Sequence, residues 1–424
     1  MEKVETLVEE TRKRTLEIIE ISKDEIEKGL ELHRESLVVD SLYPRSVMPY
    51  SDRMTDRAKE MVEEGSSLRD IMGEMDRMGF VEIAEDIKTR EQYLEIWRRS
   101  GVTCSSKTLA SNTLQDAITS LSREKYRIDK LRDSELLATC TDDIKRAKEK
   151  GQHAILWNFQ NTTHLGGGVN VDTELDNINL FYGLGVRVMQ LTYNLRNFVG
   201  DGCTERYESG LSNFGVRVVE RMNKIGMLVD TSHCGYQTTL DAIETSKVPI
   251  SATHTTCKKV FSHNRGKTDE ELKAIAEKGG YIGITQIPAF LGGKGTIKEF
   301  LDHVDYAVDL VGVEHIGIGS DNSYPAALEP DFLFEMRKKE GGGLFPYKKP
   351  PSGRGWWGGW RPDEPTARAV ASPEMSDDED RKGSLAWINW PYFTVGLVTR
   401  GYSDQEIKGI IGGNFVNILN NVIG

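Results

Sequence analysis

Two histidines and one aspartate stand where side chains can do chemistry. VDTSH closes a β-branched run on His233, PISATH closes another on His254, and HIGIGSD closes a third on Asp321. Two imidazole nitrogens and a carboxylate oxygen are donors from which a divalent-metal site is built, and the same carboxylate can take a proton from water. A single histidine at a strand end is ordinarily a hydrogen-bonded structural residue. Three such groups in register, each after an apolar strand preceded by a helical stretch, point instead to a catalytic mouth.

For the three to meet, their strands must lie parallel with their carboxyl ends together. Eight segments read as such strands: LVVDSLY (37–43), GVTCSS (101–106), HAILWNFQ (153–160), VRVMQLTY (186–193), GMLVDTSH (226–233), VPISATH (248–254), GYIGITQI (280–287) and HIGIGSD (315–321). Helical patterns such as SNFGVRVVERMNKI, YQTTLDAIETS, TDEELKAIAEKG and IKEFLDHVDYAVDLVG fall between them. This alternation predicts an α/β fold, a (β/α)8 TIM barrel. The catalytic barrel is expected over 37–321, behind a charged, amphipathic N-terminal helical extension (1–36) placed to clamp the barrel or a partner subunit. The first connection, 44–100, holds at least two further helical patterns. After the eighth strand, residues 322–384 form an irregular insertion carrying GGGLFPYKKPPSGRGWWGGWRPDEP. Its Trp356, Trp357 and Trp360 are too apolar for a plain solvated linker, which suits either a lid over the mouth or a locally packed surface loop. C-terminal helices (385–424) complete the chain, the last starting at a capping box of Ser403 and Glu406.

Composition narrows the function. The chain has 424 residues, 38% hydrophobic and 28% charged, with a formal net charge of −12. That balance disfavours nucleic acid and anionic membrane as partners and favours a small-molecule substrate. No apolar run is long enough to span a bilayer, and the first forty residues lack a secretory h-region. Five cysteines without C-x-x-C spacing argue against a disulfide framework and a thiolate zinc knuckle, so a cytoplasmic location is expected, with a homo-oligomer as the assembly.

Six blocks, VMQLTYNLRN, GLSNFGVRVVERMNKIGMLVDTSHCG, ISATHTTCKKV, HNRGKTDEEL, HIGIGSD and GYSDQEIKGIIGGNF, resemble the membrane dipeptidase (renal dipeptidase) family of the amidohydrolase superfamily. The likeness runs in order over roughly 37–424, apart from the glycine- and tryptophan-rich insertion. Fully active members carry two zinc ions, and the resemblance implies His233 and His254 as metal ligands, Asp321 as the residue that orients and deprotonates water, and Arg265 of HNR as the holder of a substrate carboxylate. Four residues, at three strand ends, depart from the pattern. Leu42 and Pro44 stand where the strand-one His-x-Asp pair belongs, Gln160 replaces the bridging glutamate, and Tyr193 replaces the histidine after strand four. Leucine and proline cannot bind a metal, and a neutral amide bridges two dications poorly.

The expectation is a metal-dependent, dipeptidase-like hydrolase with one ion per chain, Zn2+ first, with Fe2+ or Mn2+ fitting the same donors. His233 and His254 are its ligands with Asp321, directly or through a bound water, and Gln160 or a substrate atom fills the set. Asp321 moves the proton, Tyr193 or Asn194 donates to the oxyanion, and Asn161, Asn194, Arg196 and Arg265 bind the substrate. Arg196 has an alternative use in pairing with Asp201 or Glu205. Asp40 is read as structural before it is read as part of the site. A non-haem metal oxygenase or lyase, and a barrel without catalysis, are the competing readings.

Overall fold

Strands β1 (Val39–Tyr43), β2 (Cys104–Leu109), β3 (His153–Phe159), β4 (Val186–Gln190), β5 (Leu228–Asp230), β6 (Ser251–Cys257), β7 (Tyr281–Ile284) and β8 (Ile316–Ile318) lie side by side in that order. Every pairing is parallel. The computed structural model describes residues 2–43, 49–321, 329–339 and 383–424. Pro44 and the segment carrying Trp356, Trp357 and Trp360 lie outside the described residues. All eight strands fall within the segments read from sequence, apart from the last residues of β2 and β6, and helices alternate with them as a (β/α)8 barrel requires.

The seam between β8 and β1 closes chiefly through side chains. The Asp321 amide donates to the Leu42 carbonyl at 3.0 Å. Buried Asp40 accepts from the Ser320 amide (2.8 Å), the Ser320 hydroxyl (2.6 Å) and the Trp387 indole (2.9 Å). Burial pushes the Asp40 carboxyl up to about 7, against the pull of these donors. Asp40 is thus a clasp across the seam, as its structural reading had it.

Inside the barrel the period-two alternation of the strands sets layers. Val39, Cys104, Ala154, Leu156, Val188, Leu228 and Tyr281 fill the floor with Phe415, Ile418 and Leu419 of the last helix (Asn414–Ile423). Two residues further along the strands the lining turns polar, and the Asn158 amide donates to Ser106 Oγ at 3.0 Å. Gly283 of β7 and Gly319 after β8 press on β6, because a Cβ on either would come within 2.0 and 1.9 Å of the Thr253 carbonyl oxygen. No side chain fits there, so the glycines bring the β7 and β8 ends close to the strand that delivers His254.

Outside the barrel, helices α1 (Glu2–Ile18) and α2 (Lys23–Glu35) pack onto the C-terminal segment of the same chain. His33 of α2 bonds Thr394 Oγ1 and the Ser100 carbonyl, both at 2.8 Å, and Asn389 donates to Thr15 at 2.7 Å. The Ser403–Glu406 capping box is present. Two short strands were not read from sequence: Glu135–Ala138 pairs with β3, and Gly266–Lys267 with β6. ELLA has helix-forming composition, and pairing with β3 overrides that preference. Glu135 also joins a buried ion cluster in which Lys107 meets Glu124 at 2.6 Å, and Arg127 meets Glu124 at 2.8 Å and Glu135 at 2.6 Å. Among the described residues no helix is long and apolar enough to cross a membrane.

Candidate active site

His233, three residues beyond β5, His254, midway along β6, and Asp321, three residues beyond β8, converge at the barrel mouth. One donor atom from each lies within 4.8 Å of the others. Asp321 reaches the mouth through a left-handed backbone, φ +46°, which is uncommon away from glycine but tolerated by Asp and Asn.

Both imidazoles are fully buried. His233 Nδ1 faces Asn194 Oδ1 at 2.7 Å, His254 Nδ1 faces Thr253 Oγ1 at 2.9 Å, and the two Nε2 atoms face each other at 2.8 Å. If each Nδ1 carries its ring's proton, both Nε2 atoms present lone pairs. Two lone pairs at that separation repel unless a proton or a cation lies between them. Two nitrogens about 2.0–2.1 Å from one ion can lie at most about 4 Å apart, and this pair meets that limit. Burial, reinforced by the Arg265 guanidinium, holds both imidazoles well below their ordinary pKa, so they are neutral, the form that binds metal.

The Asp321 carboxyl is pushed up to about 7 by desolvation. Arg265 pulls it down, and Asp40 and Asp230 add to the rise. A base with a pKa near the working pH combines availability with driving force for taking a proton.

The remaining residues expected in the site divide by where they point. Tyr193 stacks on the His233 ring, with centroids 4.2 Å apart and planes 22° from parallel. Asn194, also left-handed at φ +59°, is buried behind His233 and holds its Nδ1, where the sequence reading had put it on the substrate wall. Arg265 is buried, with Nη1 bonding the Ser232 carbonyl and Nη2 the His254 carbonyl at 2.9 Å, while its Nε has no hydrogen-bond partner among the described residues. It ties together the two chain segments that deliver the histidines. Gln160 donates its amide to Thr108 Oγ1 at 2.7 Å. Asn161 caps its own turn, accepting from the Thr163 amide at 2.9 Å and the Thr163 hydroxyl at 2.7 Å. Arg196 is exposed and pairs with Asp201, the alternative its neighbours had offered. Asp230, at the end of β5, was missed. Its signal was the carboxylate in VDTSH, three residues before His233, in a strand otherwise apolar.

Residues 48–329 match the family model of membrane dipeptidase, peptidase family M19. The chain belongs to this family. An uncharacterized dipeptidase of Schizosaccharomyces pombe is 31% identical over 194 residues, 43% of this chain and 44% of that protein, so the chain matches less than half the length of that curated relative. A solved structure of an amidohydrolase from Pseudomonas aeruginosa is 26% identical and aligns over 93% of this chain and 99% of its own, with a TM-score of 0.66. A metallo peptidase from Rhodobacter sphaeroides, solved with a phosphinate mimic of the dipeptide L-Ala-D-Ala, shares the fold at 14% identity, covering 92% of this chain and 100% of its own with a TM-score of 0.60. Within the membrane dipeptidase family this chain keeps a His–His–Asp cluster that could hold a metal at the barrel mouth.

Proposed function

We propose that the protein is a metal-dependent hydrolase of the dipeptidase type, cleaving an amide or peptide C–N bond in a small molecule, with one ion held by His233, His254 and Asp321. The observation that carries this reading is the pair of neutral, buried imidazoles whose Nε2 atoms face each other 2.8 Å apart beside a carboxylate. Zn2+ suits two imidazoles and one carboxylate, and Fe2+ or Mn2+ accept the same donors. Bound there, a divalent ion supplies Lewis-acid polarisation of the scissile carbonyl and a lowered pKa for water.

The residues of the chain do the rest. Asp321 takes the proton from the attacking water and returns it to the leaving nitrogen. Tyr193 donates to the developing oxyanion. Arg265 adds a positive charge beside the imidazoles and Asp321, which favours a substrate bearing a carboxylate. The family match and the dipeptidase names of its relatives support a dipeptide or N-acyl amino acid as the substrate class. A cytoplasmic homo-oligomer acting on that class completes the proposal.

Elemental analysis of the purified protein, run beside hydrolysis of a panel of dipeptides and N-acyl amino acids, tests the reading. One equivalent of metal, and turnover that stops on chelation and returns with Zn2+, is expected. Two tightly held equivalents refute the single-ion centre, and dioxygen-dependent turnover with bound iron replaces the hydrolase by an oxygenase.

A further inference from the structure

The two histidines are supported differently. Asn194 holds His233 through an amide, which can turn over and offer its NH2 in place of its oxygen. His254 rests on two hydroxyls, and both lead to Asp230. That carboxylate is buried and carries only lone pairs, so each oxygen needs a donor. Oδ1 accepts from the Ser232 hydroxyl at 2.6 Å, the Thr253 amide at 2.8 Å and the Ser232 amide at 3.2 Å. Oδ2 accepts from the Thr253 hydroxyl at 2.8 Å.

Once Thr253 gives its proton to Asp230, its oxygen can only accept from His254 Nδ1, 2.9 Å away. Once Ser232 gives its proton to Asp230, its oxygen accepts from the His254 backbone amide at 3.0 Å. One carboxylate therefore sets two hydroxyl rotors, and the rotors set the ring and the backbone of the same histidine.

We propose that Asp230 is a positioning residue which, through Thr253 and Ser232, fixes His254 as the Nδ1-protonated tautomer with Nε2 bare and turned to His233. A corollary concerns the ion-free protein. There the proton between the two Nε2 atoms belongs to His233, whose amide support can reverse, and His254 accepts it. To take an ion, His233 must move that proton from Nε2 to Nδ1, with Asn194 turning its oxygen back to accept it, while His254 is already in its ligating form. The tautomer assignment stands on the hydrogen-bond geometry alone. The step to metal affinity rests on the reading under Proposed function.

The test is 15N NMR of the metal-free protein labelled at its histidine rings, with the His254 signals assigned by their loss in His254→Ala, together with Zn2+ titration by calorimetry. In the wild type, His254 is expected as the Nδ1–H tautomer. Thr253→Val, close in shape but without a hydroxyl, is expected to move His254 to the Nε2–H form or to a mixture and to weaken Zn2+ binding by about 10–100-fold. Thr253→Ser keeps the hydroxyl and is expected to restore both. Asp230→Asn, which can donate where the carboxylate only accepts, is expected to act as Thr253→Val does. Nε2–H on His254 in the wild type overturns the proposal even if no variant folds. An unchanged tautomer in Thr253→Val overturns it as well. A wild type that binds no Zn2+ but shows the expected tautomers supports the positioning role and removes the metal reading.

Discussion

Replacing Asp321 by Asn separates chemistry from folding at this site. The backbone at 321 is left-handed, a conformation Asn adopts as readily as Asp, and its bond across the seam comes from the main-chain amide to the Leu42 carbonyl. The substitution therefore spares the backbone, leaves one amide oxygen for the ion and removes the base. If Asp321 is the proton acceptor, kcat should fall by about 10²-fold or more, corresponding to about 2.7 kcal/mol or more of transition-state stabilisation. Stability should move the other way. A carboxyl whose folded pKa is raised from 3.8 to about 7 binds more protons folded than unfolded between those values, so the ionised group opposes the fold as pH rises from about 4 to 7. Asp321→Asn removes that cost, and the melting temperature of the metal-free variant is expected to equal or exceed that of the metal-free wild type at pH 8, with a smaller difference at pH 5. The pH profile of kcat/KM supplies a third check. With a pKa near 7, about one carboxylate in eleven is ionised one pH unit below it, so the acidic limb should fall about tenfold per unit. A bound dication displaces that limb to lower pH, never to higher. Steady-state kinetics on a cleaved dipeptide and differential scanning calorimetry read all three. Turnover within a few-fold of wild type, or an acidic limb centred well above pH 7, would refute the role given to Asp321.

Other outcomes follow from the same structure. His233→Ala and His254→Ala should each lower the metal content from one equivalent towards none, as measured by plasma emission spectrometry after dialysis. Arg127→Met leaves Glu124 buried with Lys107 and Glu135 buried with the Tyr93 hydroxyl as its donor, and should cost about 3–5 kcal/mol in urea unfolding; adding Glu135→Gln should recover part of it. In that cluster burial pushes the Glu124 carboxyl up, but Arg127 and Lys107 bring it below its ordinary value. Its contribution to stability is therefore present above the ordinary carboxylate range and lost as pH falls through it, and the gap between wild type and Glu124→Gln should narrow at low pH. Asp40→Ala strips the acceptor from Ser320 and Trp387 at the seam and should destabilise the barrel by several kcal/mol, with a changed Trp387 emission; an unchanged unfolding midpoint would contradict the clasp.

The sequence by itself determined the barrel and its three converging groups. The strand segments were legible because apolar runs and helical periodicity are local properties, and because parallel strands buried on both faces read as continuous β-branched stretches. His233, His254 and Asp321 were legible because each closes such a run, and strand ends in a parallel barrel share one mouth. Tertiary structure decided which way the other polar residues face. Asn194 and Arg196 are two positions apart on one loop, yet one is buried behind His233 and the other lies outside with Asp201. Asp40 and Asp230 are both carboxylates in barrel strands, but one clasps the seam and the other sets the hydroxyls beneath His254. Nothing local distinguishes them. A polar side chain at a barrel mouth takes its direction from the register of neighbouring strands and from which donors those strands bring within about 3 Å, and those contacts join residues tens to hundreds of positions apart in the chain.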